Sequence, residues 1–198
     1  MNILLSLDLS TTSTGFAKFN IDTGELLEYG VVKPKGVGKH PYPKLQVYKI
    51  RNLREQILEL VTSEVTKIII EEINKGKNRI GQKTLDGAHY MILDKLEESD
   101  LDKVAYFDSD GNKGWRSKAG LALELSDTEK SINKERKKLN KKLARKDQFP
   151  LITKKTLACN FVNKRYNLEL DVDLKSSDAD IADAIGLGTF YLEKIHDR

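Results

Sequence analysis

The sequence predicts a single α/β domain in which helices flank a mixed β-sheet. Three short apolar segments separated by turns open the chain, and later strand patterns alternate with helical ones. The chain has 198 residues, which suits one domain with a buried core. Hydrophobic residues make up 39% and charged residues 32%, a balance typical of globular rather than disordered proteins.

The N-terminal segment predicts three strands in a β-meander. Residues 3–9 (ILLSLDL) form a short apolar run that Asp8 interrupts near its end. A turn rich in serine and threonine precedes the second strand, at residues 15–20. An Asp-Thr-Gly turn at residues 22–24 precedes the third, at residues 26–32. The meander therefore opens with a strand that ends in a carboxylate.

The middle of the chain alternates helix and strand. Apolar residues at 3.6-residue spacing predict a helix over residues 44–61. Three consecutive isoleucines in residues 67–73 predict a parallel strand that is covered on both faces. Residues 80–97 predict a second amphipathic helix, and residues 103–107 a further strand.

A basic stretch follows the predicted sheet. Residues 127–147 carry nine lysines and arginines against four acidic residues, whereas the whole chain has a net charge of only +4. We expect an exposed helix here, ended by Pro150, within a basic insertion over residues 121–149 of a domain that spans residues 1–198. Such lysines either contact a polyanion such as nucleic acid or keep a solvated helix soluble, and the sequence leaves both open.

The last helix carries a pair of aspartates. We expect it to begin at Ser177 or Asp178, either of which can cap it, and to run to about residue 195, after a helix over residues 152–165. Asp180 and Asp183 lie three residues apart and share one helix face. The opposite face is apolar, and we expect it to pack on the sheet.

Four carboxylates near the ends of these elements are the candidate catalytic and metal-binding residues: Asp8, Glu71, Asp180 and Asp183. Together in one cleft they could not all stay ionised without a cation, because like charges raise one another's pKa. Mg²⁺ prefers carboxylate oxygens and serves phosphate chemistry. Two such ions, about 3.5–4 Å apart, activate water and stabilise the leaving oxygen in phosphodiester hydrolysis. We therefore expect two Mg²⁺ ions per active site, with Mn²⁺ as a substitute.

These carboxylates also have structural interpretations. Strand alternation sends Glu71 and its neighbour Glu72 to opposite faces, so that one of them could simply point at solvent. Asp180 and Asp183 could serve as capping and first-turn residues of their helix, where the helix dipole favours anions. Asp178 fits the role of helix cap better than that of metal ligand.

Several classes of protein are excluded by composition. Cys159 is the only cysteine, which excludes an internal disulfide, and together with three histidines it excludes a Cys/His zinc site. No apolar run approaches the roughly 18 residues that a membrane span needs. The N-terminal segment lacks the basic region of a signal peptide. We expect a cytoplasmic protein with no membrane partner.

Three motifs resemble those of the RuvC family of Holliday-junction resolvases, in its bacteriophage-type branch. The first is LSLDLSTTSTGFA, in which Asp8 ends a strand before Thr14-Gly15. The second is IIIEEINKGKN, in which the family pattern selects Glu71 and is followed by Lys77-Asn78. The third is SSDADIADAIGLG, which matches the D-x-x-D-A signature with Asp180, Asp183 and Ala184.

The resemblance implies both a fold and an activity. The fold would be ribonuclease-H-like, with the basic stretch as an insertion. The protein would be a homodimeric endodeoxyribonuclease of DNA recombination and repair. It would bind four-way junctions and cut two opposed strands symmetrically, leaving 5′-phosphate and 3′-hydroxyl ends. The helix near residues 80–97 would contribute to the dimer interface.

The resemblance also implies DNA-contacting basic residues. Lys77 lies at the end of the second motif. Arg116 takes the place of a family lysine near the active site, and Lys155 takes that of another, with Lys154 nearly as good a match. These side chains would neutralise the scissile phosphate and its neighbours. Trp115 is expected to be a packed surface aromatic rather than one that stacks on bases.

Two departures from the family pattern bear on selectivity. Bacterial members have an aromatic residue three positions after the catalytic glutamate, where this chain has Asn74. The segment between Arg116 and Lys155 is also much longer than in bacterial members. We expect weaker base stacking at the junction centre, and phosphate contacts from the basic stretch that add affinity without sequence readout.

Three alternatives stay open at this point. A less selective branched-DNA nuclease, which also cuts three-way junctions and forks, fits both departures. A catalytically silent DNA-binding module is disfavoured, because a pure binder gains nothing from acids that face phosphates. The turn from Asp8 to Gly15 also resembles the phosphate-binding turn of the ATP-binding sugar-kinase, heat-shock-chaperone and actin group. That group needs two such domains, and the aspartate pair would be unexplained.

Overall fold

The computed structural model describes residues 1–36, 38–72, 79–108, 114–119, 121, 125–144, 147–171 and 177–196. The strands are β1 (Ile3–Asp8), β2 (Thr14–Asn20), β3 (Leu26–Val32), β4 (Val65–Glu71) and β5 (Val104–Phe107). The helices are α1 (Lys44–Leu58), α2 (Arg79–Leu93), α3 (Glu98–Leu101), α4 (Trp115–Lys118), α5 (Asp127–Asn140), α6 (Lys154–Tyr166) and α7 (Asp178–His196).

The five strands form one mixed sheet in the order β3-β2-β1-β4-β5. The first three are antiparallel neighbours, as expected for a meander, whereas β4 runs parallel to β1 on one side and to β5 on the other. The parallel register pairs Leu7 with Ile70, so that β1 and β4 end side by side. The mixed sheet flanked by helices in a single domain, predicted from the sequence, is confirmed.

Each face of the sheet is covered by helices. One core contains Leu4, Phe19 and Ile69 from the sheet together with side chains of α4, α6 and α7. The other contains Leu5, Leu7, Ile68 and Ile70 together with side chains of α1 and α2. The isoleucines of β4 therefore alternate between two buried faces, which is why this strand has a continuous rather than an alternating apolar pattern.

The last helix differs from its predicted packing. Buried side chains run around α7 rather than along one stripe, and Asp183 is among them with 2% of its surface exposed. The helix lies between the sheet on one side and α4 and α6 on the other. Because both sides are covered, Asp183 is buried, although it lies on the face opposite the one that was expected to pack on the sheet.

Element boundaries differ by a few residues from the predicted ones. The strand expected at residues 67–73 begins at Val65 and ends at Glu71, and Ile73 lies outside the described residues. The helix expected over residues 80–97 ends at Leu93, and the short helix α3 follows it. The basic stretch forms the 14-residue helix α5, which begins with a capping box between Ser126 and Glu129. It ends at Asn140, ten residues before Pro150, the residue that was expected to end it.

Candidate active site

Asp8 and Glu71 come together at the carboxyl edge of the sheet. They end the adjacent parallel strands β1 and β4, one residue after the paired Leu7 and Ile70. Their side chains lie on the sheet face that α7 covers, close enough for a hydrogen bond between the two carboxyl groups. Two carboxyl groups share such a bond when one of them holds a proton. A nearby positive charge would therefore stabilise the fully ionised pair.

Glu72 faces away from this pair. Together with Gln82, His89 and Tyr106 it lines a cavity of about 430 Å³ on the opposite side of the sheet. The alternation of side chains along a strand separates the two neighbouring glutamates in this way. The structure thus places Glu71, and not Glu72, beside Asp8.

The N-terminal part of α7 is packed directly onto the first two strands. A Cβ atom at Gly15 would lie only 1.9 Å from the carbonyl oxygen of Asp180, so glycine is required for this approach. Deeper in the core, the Ser6 hydroxyl donates a hydrogen bond of 2.7 Å to the carbonyl oxygen of Ala184. These two contacts hold the aspartate pair of α7 next to Asp8.

Two basic side chains connect the aspartates of α7 to the rest of the site. The Arg116 guanidinium lies 2.7 Å from Asp183 Oδ1 and 3.8 Å from Glu71 Oε1. Lys155 Nζ lies 2.9 Å from Asp180 Oδ1 and 3.8 Å from Asp183 Oδ2. Four carboxylates and two cations from five separate segments of the chain therefore form one cluster.

The electrostatics of the cluster show its excess of negative charge. Burial, followed by the charges of Glu71 and Asp183, raises the pKa of Asp8 well above its ordinary value. Burial raises the pKa of Asp183 to about 6, although the neighbouring Arg116 lowers it. Burial alone would lower the pKa of Lys155, but its hydrogen bond to Asp180 and the nearby carboxylates raise it overall. Additional cations would relieve this repulsion.

Trp115 contacts two charged residues of the cluster, Glu71 and Arg116. It is fully buried, and its indole N–H donates a hydrogen bond of 3.3 Å to Glu71 Oε1. A Cβ atom at Gly186 would lie 2.4 Å from the indole ring, so this glycine makes room for it. Arg116 stacks on the same ring, 4.8 Å from the ring centroid. Trp115 is therefore a packed aromatic, but it is buried rather than at the surface as expected, and its role in orienting Glu71 and Arg116 was not predicted.

Three of the four basic residues predicted to contact DNA lie among the described residues. Arg116 and Lys155 lie within the carboxylate cluster, as described above. Lys154 is half-buried at the first residue of α6, after the N-cap Thr153. Lys77, like Asn74, lies outside the described residues.

The donor set fits hard divalent cations, because all four acidic side chains offer carboxylate oxygens. Among the described residues, no three acidic, histidine or cysteine side chains already form a metal cage. In this arrangement Arg116 and Lys155 form ion pairs with the carboxylates and balance part of their negative charge. Separately, no helix in the described segments has the length and hydropathy needed to cross a bilayer.

The chain is similar in fold to two solved structures. The first, "T. thermophilus RuvC in complex with Holliday junction substrate", is 12% identical with a TM-score of 0.55, and the match covers 99% of this chain and 96% of that chain. The second, "Thermus thermophilus RuvC structure", is 11% identical with a TM-score of 0.56, covering 98% and 96%. No family model matches the sequence, and the comparison with curated proteins found no match. The ribonuclease-H-like fold of RuvC is therefore the fold of this chain.

Proposed function

We propose that this protein is a metal-dependent endonuclease that binds four-way DNA junctions as a homodimer and resolves them by symmetric hydrolysis. The observation that carries the proposal is the convergence of Asp8, Glu71, Asp180 and Asp183 with two cations at the carboxyl edge of the sheet. Buried acids that raise one another's pKa are costly to a fold, and this cost is explained if they serve a reaction.

Asp8, Glu71, Asp180 and Asp183 are the residues that would hold two divalent cations. Such ions, when bound, supply an activated water and stabilise the leaving 3′ oxygen of a phosphodiester. Within the chain itself, Trp115 and Arg116 orient Glu71 and Asp183. Lys155 is 46% exposed, so it can turn from Asp180 towards a phosphate oxygen of DNA. The products would carry 5′-phosphate and 3′-hydroxyl ends.

The proposed substrate and assembly have separate support. A solved structure of similar fold is described as RuvC bound to a Holliday junction. A subunit with one carboxylate cluster offers one site for two opposed cuts, which is a reason for two subunits related by symmetry. The bacteriophage-type assignment and the cytoplasmic location stay predictions from the sequence.

A less selective branched-DNA nuclease is the second candidate. The basic helix α5 exposes lysines that can bind phosphates of any DNA arm, whatever its sequence or the number of arms. Such a protein would also cut three-way junctions and forks with the same carboxylates. The two candidates differ in substrate range and not in chemistry.

Cleavage of end-labelled synthetic DNA tests both candidates. The substrates are a four-way junction, a three-way junction and a linear duplex, each with Mg²⁺, with Mn²⁺ and without a divalent metal. We expect symmetric cuts in the four-way junction that depend on the metal. Equal cutting of the three-way junction would favour the broader nuclease. Binding without cutting under every metal would contradict the proposed activity.

The glutamate pair at the end of β4 offers a matched control. We expect Glu71→Gln to lose at least a hundred-fold in cleavage rate while it still binds the junction, because it removes a charge from the cluster. Glu72→Gln removes the same charge one residue later, on the other face of the sheet, and should cleave normally. Equal losses in the two variants would mean that the cluster is not the active site.

A further inference from the structure

Three lysines of α5 and Lys141, its C-cap residue, lie on one side of the helix. Lys134, Lys137, Lys138 and Lys141 are spaced by three, four and seven residues, which places them on a common face. We call this set the lysine stripe. All four side chains are exposed, and no acidic side chain in the described part of the chain pairs with them. The stripe is therefore a concentrated positive surface about 10 Å long.

The neighbouring face of α5 is tied to the rest of the chain. The amide of Asn133 donates to the carbonyl oxygen of Ile152 and accepts from its N–H, both at 2.8 Å. The amide of Asn140 bonds both backbone groups of Phe149 in the same way, at 2.9 and 2.8 Å. Between them, Arg136 donates to the carbonyl oxygen of Pro150. We call residues 148–152 the strap.

The two pairs of contacts are about equally far apart along α5 and along the strap. Seven helical residues separate Asn133 from Asn140, a rise of about 10 Å. Three residues separate Phe149 from Ile152, and an extended chain covers about 10 Å over that number. The helix and the strap can therefore be joined at both ends without distortion of either, so that α5 has a defined orientation.

This attachment distinguishes the two interpretations of the basic stretch. A helix whose lysines only confer solubility needs no fixed orientation, whereas a surface that binds a ligand gains from being held in place. The residues that hold α5 lie about a third of a turn around the helix from the stripe, so they leave it open. The strap also leads directly to Thr153 and to Lys155, whose ammonium group lies in the carboxylate cluster.

We propose that the lysine stripe of α5 binds the phosphate backbone of a duplex DNA arm, and that the strap holds the stripe in position relative to the carboxylate cluster. The inference rests on the proposed action on DNA, but it concerns affinity rather than cleavage. The phosphates of a duplex match the stripe in charge, and they carry no base information, so binding through the stripe is independent of sequence.

The test compares two triple variants that lose the same charge. One is Lys134→Gln, Lys137→Gln and Lys141→Gln. The other is Lys95→Gln, Lys164→Gln and Lys194→Gln, which changes exposed lysines near the ends of α2, α6 and α7, outside both the stripe and the carboxylate cluster. Dissociation constants are measured for a four-way junction and for a duplex, without divalent metal, from 50 to 300 mM salt. Circular dichroism checks that both variants fold.

We expect the slope of log K against log salt concentration to be smaller in magnitude by about 2 to 3 in the stripe variant. Each lost phosphate contact removes about 0.9 from this slope. The control variant should keep the wild-type slope. Equal slopes in all three proteins would overturn the inference, even if the junction is cleaved. A flattened slope in a protein that never cleaves DNA would support the stripe and contradict the nuclease, so the two proposals fail separately.

Discussion

At the scale of single residues, the most unusual feature is a nearly fully buried aspartate. Asp183 keeps 2% of its side chain exposed and depends on Arg116 at 2.7 Å for its charge balance. A charge at this depth is tolerable only when it is paired, and removal of one partner leaves the other uncompensated. Loss of Arg116 alone should therefore destabilise the fold, although the cluster as a whole is costly to it.

We expect Arg116→Gln to lower the free energy of unfolding by about 3 kcal/mol at pH 8. The loss should shrink towards pH 5, because Asp183, whose pKa is raised to about 6 even with Arg116 present, takes up a proton there. Urea titrations at the two pH values measure both effects. Arg165→Gln is the control, since it removes a half-exposed pair with Glu193 and should cost less than about 1 kcal/mol. Equal losses would contradict the role assigned to Arg116.

A buried histidine provides a second residue-scale prediction. His89 is 4% exposed, its Nδ1 lies 3.1 Å from the Tyr106 hydroxyl, and burial lowers its pKa to about 4. The unfolded chain therefore binds more protons than the folded one between pH 4 and about 6.5, so stability falls as the pH is lowered through this range. The effect amounts to about 3 kcal/mol at most.

The variant His89→Gln isolates this effect. Asp8 and Asp183 act in the opposite direction, because their raised pKa values make the folded protein less stable as the pH rises through them. The difference in unfolding free energy between wild type and His89→Gln therefore reports on His89 alone. We expect this difference to favour the wild type more at pH 7 than at pH 4.5. A difference that does not change with pH would show that His89 titrates normally in the folded protein.

At the scale of elements, the contact between α7 and β2 determines whether the site forms. We expect Gly15→Ala to displace the start of α7, since its Cβ would lie 1.9 Å from the Asp180 carbonyl oxygen. Stability should fall by about 1 to 3 kcal/mol, and cleavage should fall further, because Asp180 and Asp183 move with the helix. Gly87→Ala is the matched control, since its nearest neighbour would be Ile50 Cδ1 at 3.9 Å.

The control substitution should be neutral or slightly stabilising, because alanine favours a helix over glycine by about 1 kcal/mol. Thermal unfolding and the cleavage rate distinguish the two variants. A Gly15→Ala protein with normal stability and normal cleavage would show that the helix does not approach the strand this closely.

The attachment of α5 to the strap is also a property of elements. Asn133→Ala would leave the N–H and the carbonyl of Ile152 without their amide partners, at a cost of about 1 to 3 kcal/mol if they stay buried. We expect hydrogen exchange in α5 and the strap to accelerate while exchange in the sheet stays slow, since the effect is local. Uniformly faster exchange in both regions would contradict a local attachment.

At the scale of the whole molecule, the sheet separates two cores, and the carboxylate cluster lies at the edge where β1 and β4 end. The site depends on α7 from the far end of the sequence and on Arg116 from its middle. Each proposed subunit therefore carries a complete cluster of its own. Two such clusters in a dimer would cut two strands independently.

Dimers that mix wild-type and Glu71→Gln subunits test this arrangement. On a supercoiled plasmid with an extruded cruciform, wild-type dimers should produce linear molecules through two cuts within the life of one complex. Mixed dimers should produce mainly nicked circles, because only one subunit can cut. Gel electrophoresis separates the two products. Linear product from mixed dimers at the wild-type rate would contradict the one-site-per-subunit arrangement.

The sequence by itself determined the sheet, the order of its elements and the candidate acids. Apolar periodicity is a local property, so the meander, the isoleucine-rich strand and the last helix could be predicted to within a few residues. Asp8 stood out because a carboxylate in an apolar strand is costly. The short α3 and α4 were missed, since four residues are too few to show a helical period.

Only the tertiary structure decided how the acids meet and what supports them. The motif already favoured Glu71 over Glu72. In the structure, Glu71 lies beside Asp8 because its side chain is on the sheet face that α7 covers, whereas Glu72 is on the other face. The burial of Asp183 follows from helices packed on two sides of α7, and the role of Trp115 from a hydrogen bond across 44 residues of sequence. Such facts depend on contacts between distant segments, which no local pattern of residues encodes.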